Sequence, residues 1–155
     1  MKLMASSHHR RNSGEGLVLV IIVVAILAAG IWYLFSQRQA SERQALAFAR
    51  AVAERVVADD ERFLDASLTP HAQVKYPPSW RARLFEKVRA KGKPVRPIEV
   101  TGDVQFTSYF FSPQGRFKAE YAYGDMPMYL YLDVMANGSL WQIEGMNLVW
   151  YPAPQ

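Results

Sequence analysis

From Gly16 to Phe35 the chain reads Gly-Leu-Val-Leu-Val-Ile-Ile-Val-Val-Ala-Ile-Leu-Ala-Ala-Gly-Ile-Trp-Tyr-Leu-Phe, without one charged side chain. At about 1.5 Å of rise per residue such a run makes roughly 30 Å of helix, the thickness of the hydrocarbon core of a bilayer. A helix on a soluble core keeps a polar stripe somewhere on its circumference, and this one has none. The run therefore predicts a transmembrane helix over 16–35, and everything after it stands on one side of a membrane.

Residues 1–15 are a short polar tail carrying Lys2, His8, His9, Arg10 and Arg11, too poor in apolar side chains to fold alone. A basic segment directly before an apolar run is the arrangement of an export signal. Ala28, Ala29 and Gly30 would suit a signal peptidase, but Ile31 to Phe35 carry the apolar run past them, so an uncleaved signal anchor is expected. The expected placement is the inner (plasma) membrane, single-pass, with the tail in the cytoplasm and the following domain outside. Arg38, Arg43, Arg50 and Arg55 after the span blunt the charge asymmetry that would otherwise fix this orientation.

The net charge of +4 is not a property of the domain. Lys2, Arg10 and Arg11 of the eighteen Lys and Arg precede the span, with Glu15 of the fourteen Asp and Glu, which leaves fifteen basic against thirteen acidic residues beyond it. A nearly neutral domain gives no support to a nucleic-acid-binding surface. Without cysteine there is no disulfide, thiolate metal site or cysteine nucleophile.

After a helical connector over 36–44, one domain is expected over 45–151, followed by a tail over 152–155. Ala45, Leu46, Ala49, Val52, Ala53, Val56, Phe63 and Leu64 recur at helical steps, broken near Asp59 and Asp60, and give one apolar stripe. Arg50 with Glu54 and Arg55 with Asp59 are spaced for surface pairs. The acidic run Asp59-Asp60-Glu61 with Asp65 reads as a solvated helix face rather than a metal site. Leu68-Thr69-Pro70 ends the helix, and a loop with His71, Pro77 and Pro78 follows.

Ser79 is placed to cap a helix whose stripe is Trp80, Leu84, Phe85 and Val88 and whose stop is Gly92 with Pro94. Its outward face carries Arg81, Arg83, Lys87, Arg89, Lys91 and Lys93, followed by Arg96, against Glu86 alone. Such a face suits an anionic partner or lipid headgroups, each charge near a membrane surface contributing about 1 kcal/mol.

From Ile98 the period is two. Val104, Phe106, Ser108 and Phe110 alternate with Gln105, Thr107, Tyr109 and Phe111, and Ser112-Pro113-Gln114-Gly115 reads as a turn before Phe117, Ala119, Tyr121 and Tyr123. Asn137-Gly138 reads as the centre of a type I′ hairpin. That register sets Val134 opposite Trp141, Leu132 opposite Ile143 and Leu130 opposite Gly145. It leaves Tyr129, Tyr131, Asp133 and Glu144 as candidate contacts on the sheet face away from the core.

The expected class is α+β: one transmembrane helix, then amphipathic helices on a curved four-stranded antiparallel sheet. On the leading amphipathic helix, the Trp80–Gly92 helix and the closing pair around Asn137-Gly138-Ser139-Leu140-Trp141-Gln142-Ile143, the chain resembles the NTF2-like and cystatin-like group of small domains over about Ala45 to Trp150. That resemblance implies an assembly or scaffold role for a membrane-anchored member, or a pocketed isomerase for some soluble relatives, and transfers no catalytic residue. A general base, were there one, would come from His71, Asp103, Asp133 or Glu144. Met126, Met128, Met135 and Met146 with the tyrosines read as core filling before they read as a ligand cavity.

The reading is a non-enzymatic, membrane-tethered interaction module with no cofactor and no metal. Its expected partners are the lipid bilayer and a membrane protein or a second copy of the chain. The alternatives are a pilin-like filament subunit, against which stand the absence of a Gly-Phe processing site and of a glutamate five residues into the span, and a ligand-binding or isomerase-like domain. The full-length chain is expected to pellet with membranes through an alkaline carbonate wash and to enter solution only with detergent; a monomer in a detergent-free supernatant overturns the anchor.

Overall fold

The computed structural model describes residues 13–106, 113–124 and 126–150. Their elements are α1 (Ser13–Val57), α2 (Glu61–Ser67), α3 (Pro70–Lys75), α4 (Pro78–Lys91), β1 (Glu99–Phe106), β2 (Pro113–Tyr123), β3 (Met126–Asn137) and β4 (Leu140–Trp150). The chain divides into one unit ending at Arg38 and a second beginning at Gln39. In the first, the apolar part of α1 is long enough to cross a membrane, and none of it is buried.

In the second unit the helical stripe takes the place that its spacing predicts. Ala45, Ala49, Val52, Ala53 and Val56 of α1 are buried in one cluster with Leu64 and Leu68, Tyr76, and Leu84, Phe85 and Val88 of α4. Steps of three and four put these residues on one side of each helix. The helix ends at Val57 because Asp59 takes the left-handed conformation, φ 62°, and Asp60 starts α2 by accepting the Phe63 N–H at 3.0 Å. Aspartate tolerates that backbone better than most residues because its short side chain bonds locally.

Two expected features of this region are otherwise. Residues 70–75 are not loop but a short helix, capped by Thr69 and started by Pro70. Helix α4 begins at Pro78 with Pro77 as its cap and no side-chain cap bond, so Ser79 lies inside it. Proline at the first helical position has the right φ already and no N–H to leave unpaired, so a hydroxyl cap is dispensable.

The sheet is an antiparallel meander in the order β1-β2-β3-β4. Val100, Phe117, Ala119, Tyr121, Met128, Leu130, Leu132, Val134, Ile143 and Met146 are its buried members and complete the core. A Cβ added at Gly102 would collide with the Arg116 carbonyl and with Phe117, so this glycine is fixed by close packing across the strand pair.

The first turn is not at Ser112–Gly115 as expected. Phe106 pairs with Pro113, Gln105 with Gln114 and Val104 with Gly115, so Pro113-Gln114-Gly115 is strand, and the alternation expected at Ser108, Tyr109, Phe110 and Phe111 lies outside the described residues.

The closing hairpin is displaced by one residue from the expected turn. Asn137 pairs with Leu140, which leaves Gly138-Ser139 as the two-residue loop, with positive φ at Gly138 alone. Positive φ at the first central position only is the II′ turn, which asks for glycine there and lets serine follow. Val134 consequently faces Ile143, not Trp141, and Ala136 faces Trp141. Between Asp133 and Val134 the register slips: Asp133 pairs with Gly145 and Val134 with Ile143, so Glu144 is an extra residue on β4. Beyond it Leu132 faces Met146 and Leu130 faces Leu148, not Ile143 and Gly145 as expected.

Tyr121 ties the sheet to α1 by donating from its buried hydroxyl to the Ala53 carbonyl at 3.0 Å. Burial drives its phenol far above the ordinary tyrosine range, with the neighbouring Tyr123 a smaller cause. Tyr121→Phe, which keeps the ring, is expected to lower unfolding stability by about 1 kcal/mol. Tyr121→Ala is expected to cost about 3–5 kcal/mol by opening a cavity. Urea denaturation of the full-length chain in detergent measures both, and equal losses for the two variants would contradict this packing.

Candidate functional site

The bulge in β4 determines what lies beside α4. Upstream of it the core side of β4 carries Trp141 and Ile143; downstream it carries Met146, Leu148 and Trp150. An extra residue in one strand shifts the alternation by one, so both apolar sets face inward. Thr69, between α2 and α3, and Tyr76, which ends α3, close the strand edge there. The Thr69 N–H donates to the Ile143 carbonyl at 3.0 Å, and the Met146 N–H donates to the Tyr76 hydroxyl at 2.9 Å.

With Leu148 turned inward, α4 and β4 enclose a cleft of about 360 Å³ lined by Trp80, Arg83, Leu84, Lys87, Asn147 and Leu148. Arg83 and Lys87 lie four residues apart and therefore on the same face of the helix. Lys91, one further turn on, sets its ammonium 5.0 Å from the centre of the Trp150 ring. Three of the six cations predicted for this face thus point toward β4, and they have apolar and aromatic surface beneath them.

The other three are used differently. Arg81 is only 12% exposed, its Nε 2.7 Å from Asp65 and its Nη1 donating to the Tyr76 carbonyl at 2.9 Å. Arg89 holds Asp59 through contacts as short as 2.6 Å. These two arginines fasten α4 to α2 and to the α1–α2 turn and are not part of a free basic face. Asp59 and Asp65, read from sequence as a solvated acidic face, are their counter-ions, and Arg55 reaches Asp60 at 2.8 Å in place of Asp59. Lys93 lines a different cavity, between the end of α1 and the α4–β1 connector.

The expected sheet-face set also divides. Asp103, Arg116 and Asp133 are in register across β1, β2 and β3, with Arg116 3.6 Å from Asp133 and both side chains well exposed. Lys118 lies over Tyr129 at 5.0 Å, and Tyr131 is exposed on the same strand. Glu144 leaves that row because it is the bulged residue. Its carboxylate accepts the Thr69 hydroxyl at 2.5 Å and meets His71 Nδ1 at 2.7 Å. The Thr69 hydroxyl also accepts the Ala72 N–H at 3.1 Å, so one side chain caps α3 and holds the bulge.

The Thr69 hydrogen bond, more than the His71 contacts and the nearby Lys75, holds the Glu144 carboxyl below its ordinary range against a smaller opposing effect of burial. That direction makes the carboxylate a weaker base, and His71 stands 72% exposed. The geometry is that of a latch between α3 and β4. Sequence reasoning named Glu144 and His71 as candidates but Thr69 only in a helix stop, because its role here follows from a contact across 75 residues. Among the described residues no group of three or more His, Asp or Glu is disposed to hold a metal ion.

Comparison of the chain with protein-family models, with curated proteins and with solved structures finds no match.

A carboxyl whose folded pKa is depressed stabilises the folded chain at neutral pH, and the contribution disappears as pH falls from about 4.3 through the lower folded value. Glu144→Gln is expected to flatten the loss of stability over that acid range. At neutral pH its cost stays under about 1 kcal/mol, because the carboxylate is 37% exposed and screened by solvent. Urea midpoints across the acid range test this, and an unchanged acid limb removes Glu144 from the latch.

Proposed function

We propose that the chain is a non-enzymatic interaction module tethered to the inner membrane, in which the α4–β4 cleft takes an acidic segment of a membrane-protein partner. In this reading residues 16–35 span the bilayer, the tail is cytoplasmic, and the domain stands outside as a member of the NTF2-like and cystatin-like group. The helices-then-meander order of α2–α4 and β1–β4 supports that kinship.

One observation carries the reading: Arg83 and Lys87 share a cleft with Trp80 and Leu148, and no carboxylate among the described residues lines it. Arg81 and Arg89, by contrast, are paired with carboxylates of the domain itself. A cationic pair on apolar ground favours a partner that supplies acidic side chains flanked by apolar ones, the polar groups setting orientation and the buried rings most of the affinity. Tethering matters here because two proteins held to one bilayer meet at high effective concentration, so a cleft of this size suffices for stable association.

Reversing charge with Arg83→Glu and Lys87→Glu together is expected to lower recovery of a stoichiometric membrane partner from detergent extracts by tenfold or more. Both side chains are exposed and unpaired by any carboxylate among the described residues, so the melting temperature should hold, the change in stability staying within about 0.5 kcal/mol. Undiminished recovery from the double variant discards the cleft as the docking site.

A further inference from the structure

The connector from α4 to β1 carries two cations on unusually constrained backbone. Its sequence is Gly92-Lys93-Pro94-Val95-Arg96-Pro97, so each cation precedes a proline. Proline fixes its own φ and restricts the residue before it to extended conformations. The middle of the connector is also anchored, because the Val95 N–H donates to the Ala122 carbonyl of β2 at 2.8 Å. Val95 keeps its side chain in solvent, 69% exposed.

Arg50, from the last turns of α1, joins Lys93 and Arg96 in lining an open cavity of about 730 Å³. Its walls include Val57, Pro97 and Ile98, and Glu54 is the one acidic residue among the described residues that line it. None of the three cations takes part in the ion pairs of the described residues. The lining therefore carries a net charge of two positive over apolar walls. A phosphate monoester carries close to two negative charges at neutral pH, and guanidinium forks match its oxygens in pairs. The volume falls in the range of small-molecule sites, about 300–1,000 Å³. Because the backbone that carries Lys93 and Arg96 is already restricted, only their side chains have to be ordered around an anion.

We propose that this cavity binds a phosphate monoester bearing an apolar group, the phosphate on Arg50, Lys93 and Arg96 and the apolar group on Val57, Pro97 and Ile98. The ester can be a soluble molecule or the headgroup of phosphatidate. The site is separate from the α4–β4 cleft and does not depend on the docking reading.

Calorimetric titration of the full-length protein in a neutral maltoside detergent tests it with hexyl phosphate, inorganic phosphate and hexanol. Hexyl phosphate is expected to bind saturably and more tightly than inorganic phosphate, and hexanol not to bind. Arg96→Gln is expected to weaken hexyl phosphate about tenfold, and the Arg50→Gln, Lys93→Gln, Arg96→Gln triple variant to abolish binding, while Arg83→Gln leaves it unchanged. Arg96→Lys, which keeps the charge and loses the fork, should weaken it severalfold. Competition by phosphatidate in the micelle identifies the lipid source, and binding of hexyl phosphate without such competition identifies a soluble ester. No saturable binding of hexyl phosphate, equal affinity for hexanol, or unaltered binding by the triple variant each overturns the site. The hexanol comparison is made on the unmutated protein and decides the matter even if the triple variant fails to fold.

Discussion

Side chains alternate along a strand, so Ile143 and Met146, three residues apart, cannot both enter one core unless the residue count between them is altered. The extra residue at Glu144 makes that alteration, and much of the domain follows from it. Without it Met146, Leu148 and Trp150 would face away from the helices, and α4 would have no apolar strand to close against. A bulge also leaves the local ladder incomplete, and buried backbone groups there need partners. Thr69 and Tyr76 supply them on either side of the irregularity, to the Ile143 carbonyl and the Met146 N–H. The short helix α3, which lies between these two residues, is thus the cover for an edge strand at the point where pairing with another chain would otherwise begin.

The same constraint separates residues of like charge into different trades. Arg81, nearly buried, would carry a large desolvation penalty alone, and it has Asp65 and a carbonyl to offset it. Arg83 and Lys87 remain hydrated, so they need no counter-ion and keep their charge for whatever approaches. The difference comes from where each side chain lies on the helix circumference: residue 81 faces α2, and residues 83 and 87 face β4. A helix that reads as uniformly basic is in fact a structural clamp on one side and an open electropositive cleft on the other.

Much of this was legible in the sequence, and the parts that were not share a physical cause. The apolar stripe from Ala45 to Val56 and the alternation from Leu130 to Val134 are local periodicities, and both sets are buried as expected. The closing hairpin was placed by its glycine but one residue early, because Asn137-Gly138 and Gly138-Ser139 are each acceptable loops. The choice between them belongs to the strand pairing and not to the dipeptide. The bulge had a signal that parity alone exposes: Trp141 and Ile143 keep one phase, Met146, Leu148 and Trp150 the other, with Gly145 at the change. The ion pairs of Arg81 and Arg89 and the Thr69–Glu144 bond had none, since each joins residues whose proximity only the fold creates.

The apolar span poses the opposite problem to the domain. The large apolar side chains from Leu17 to Phe35 are exposed, whereas the domain, from Ala45 on, buries side chains of that kind in its core. Burying such side chains is worth about 1.5–3 kcal/mol each for the large ones, so leaving the run in water would outweigh the entire stability of a domain of this size. A bilayer relieves that exposure without asking any packing of the domain in return. The two halves of the chain therefore answer to different solvents: the apolar run of α1 is long enough to cross a membrane, whereas Arg83, Lys87 and the other exposed charges of the domain call for water.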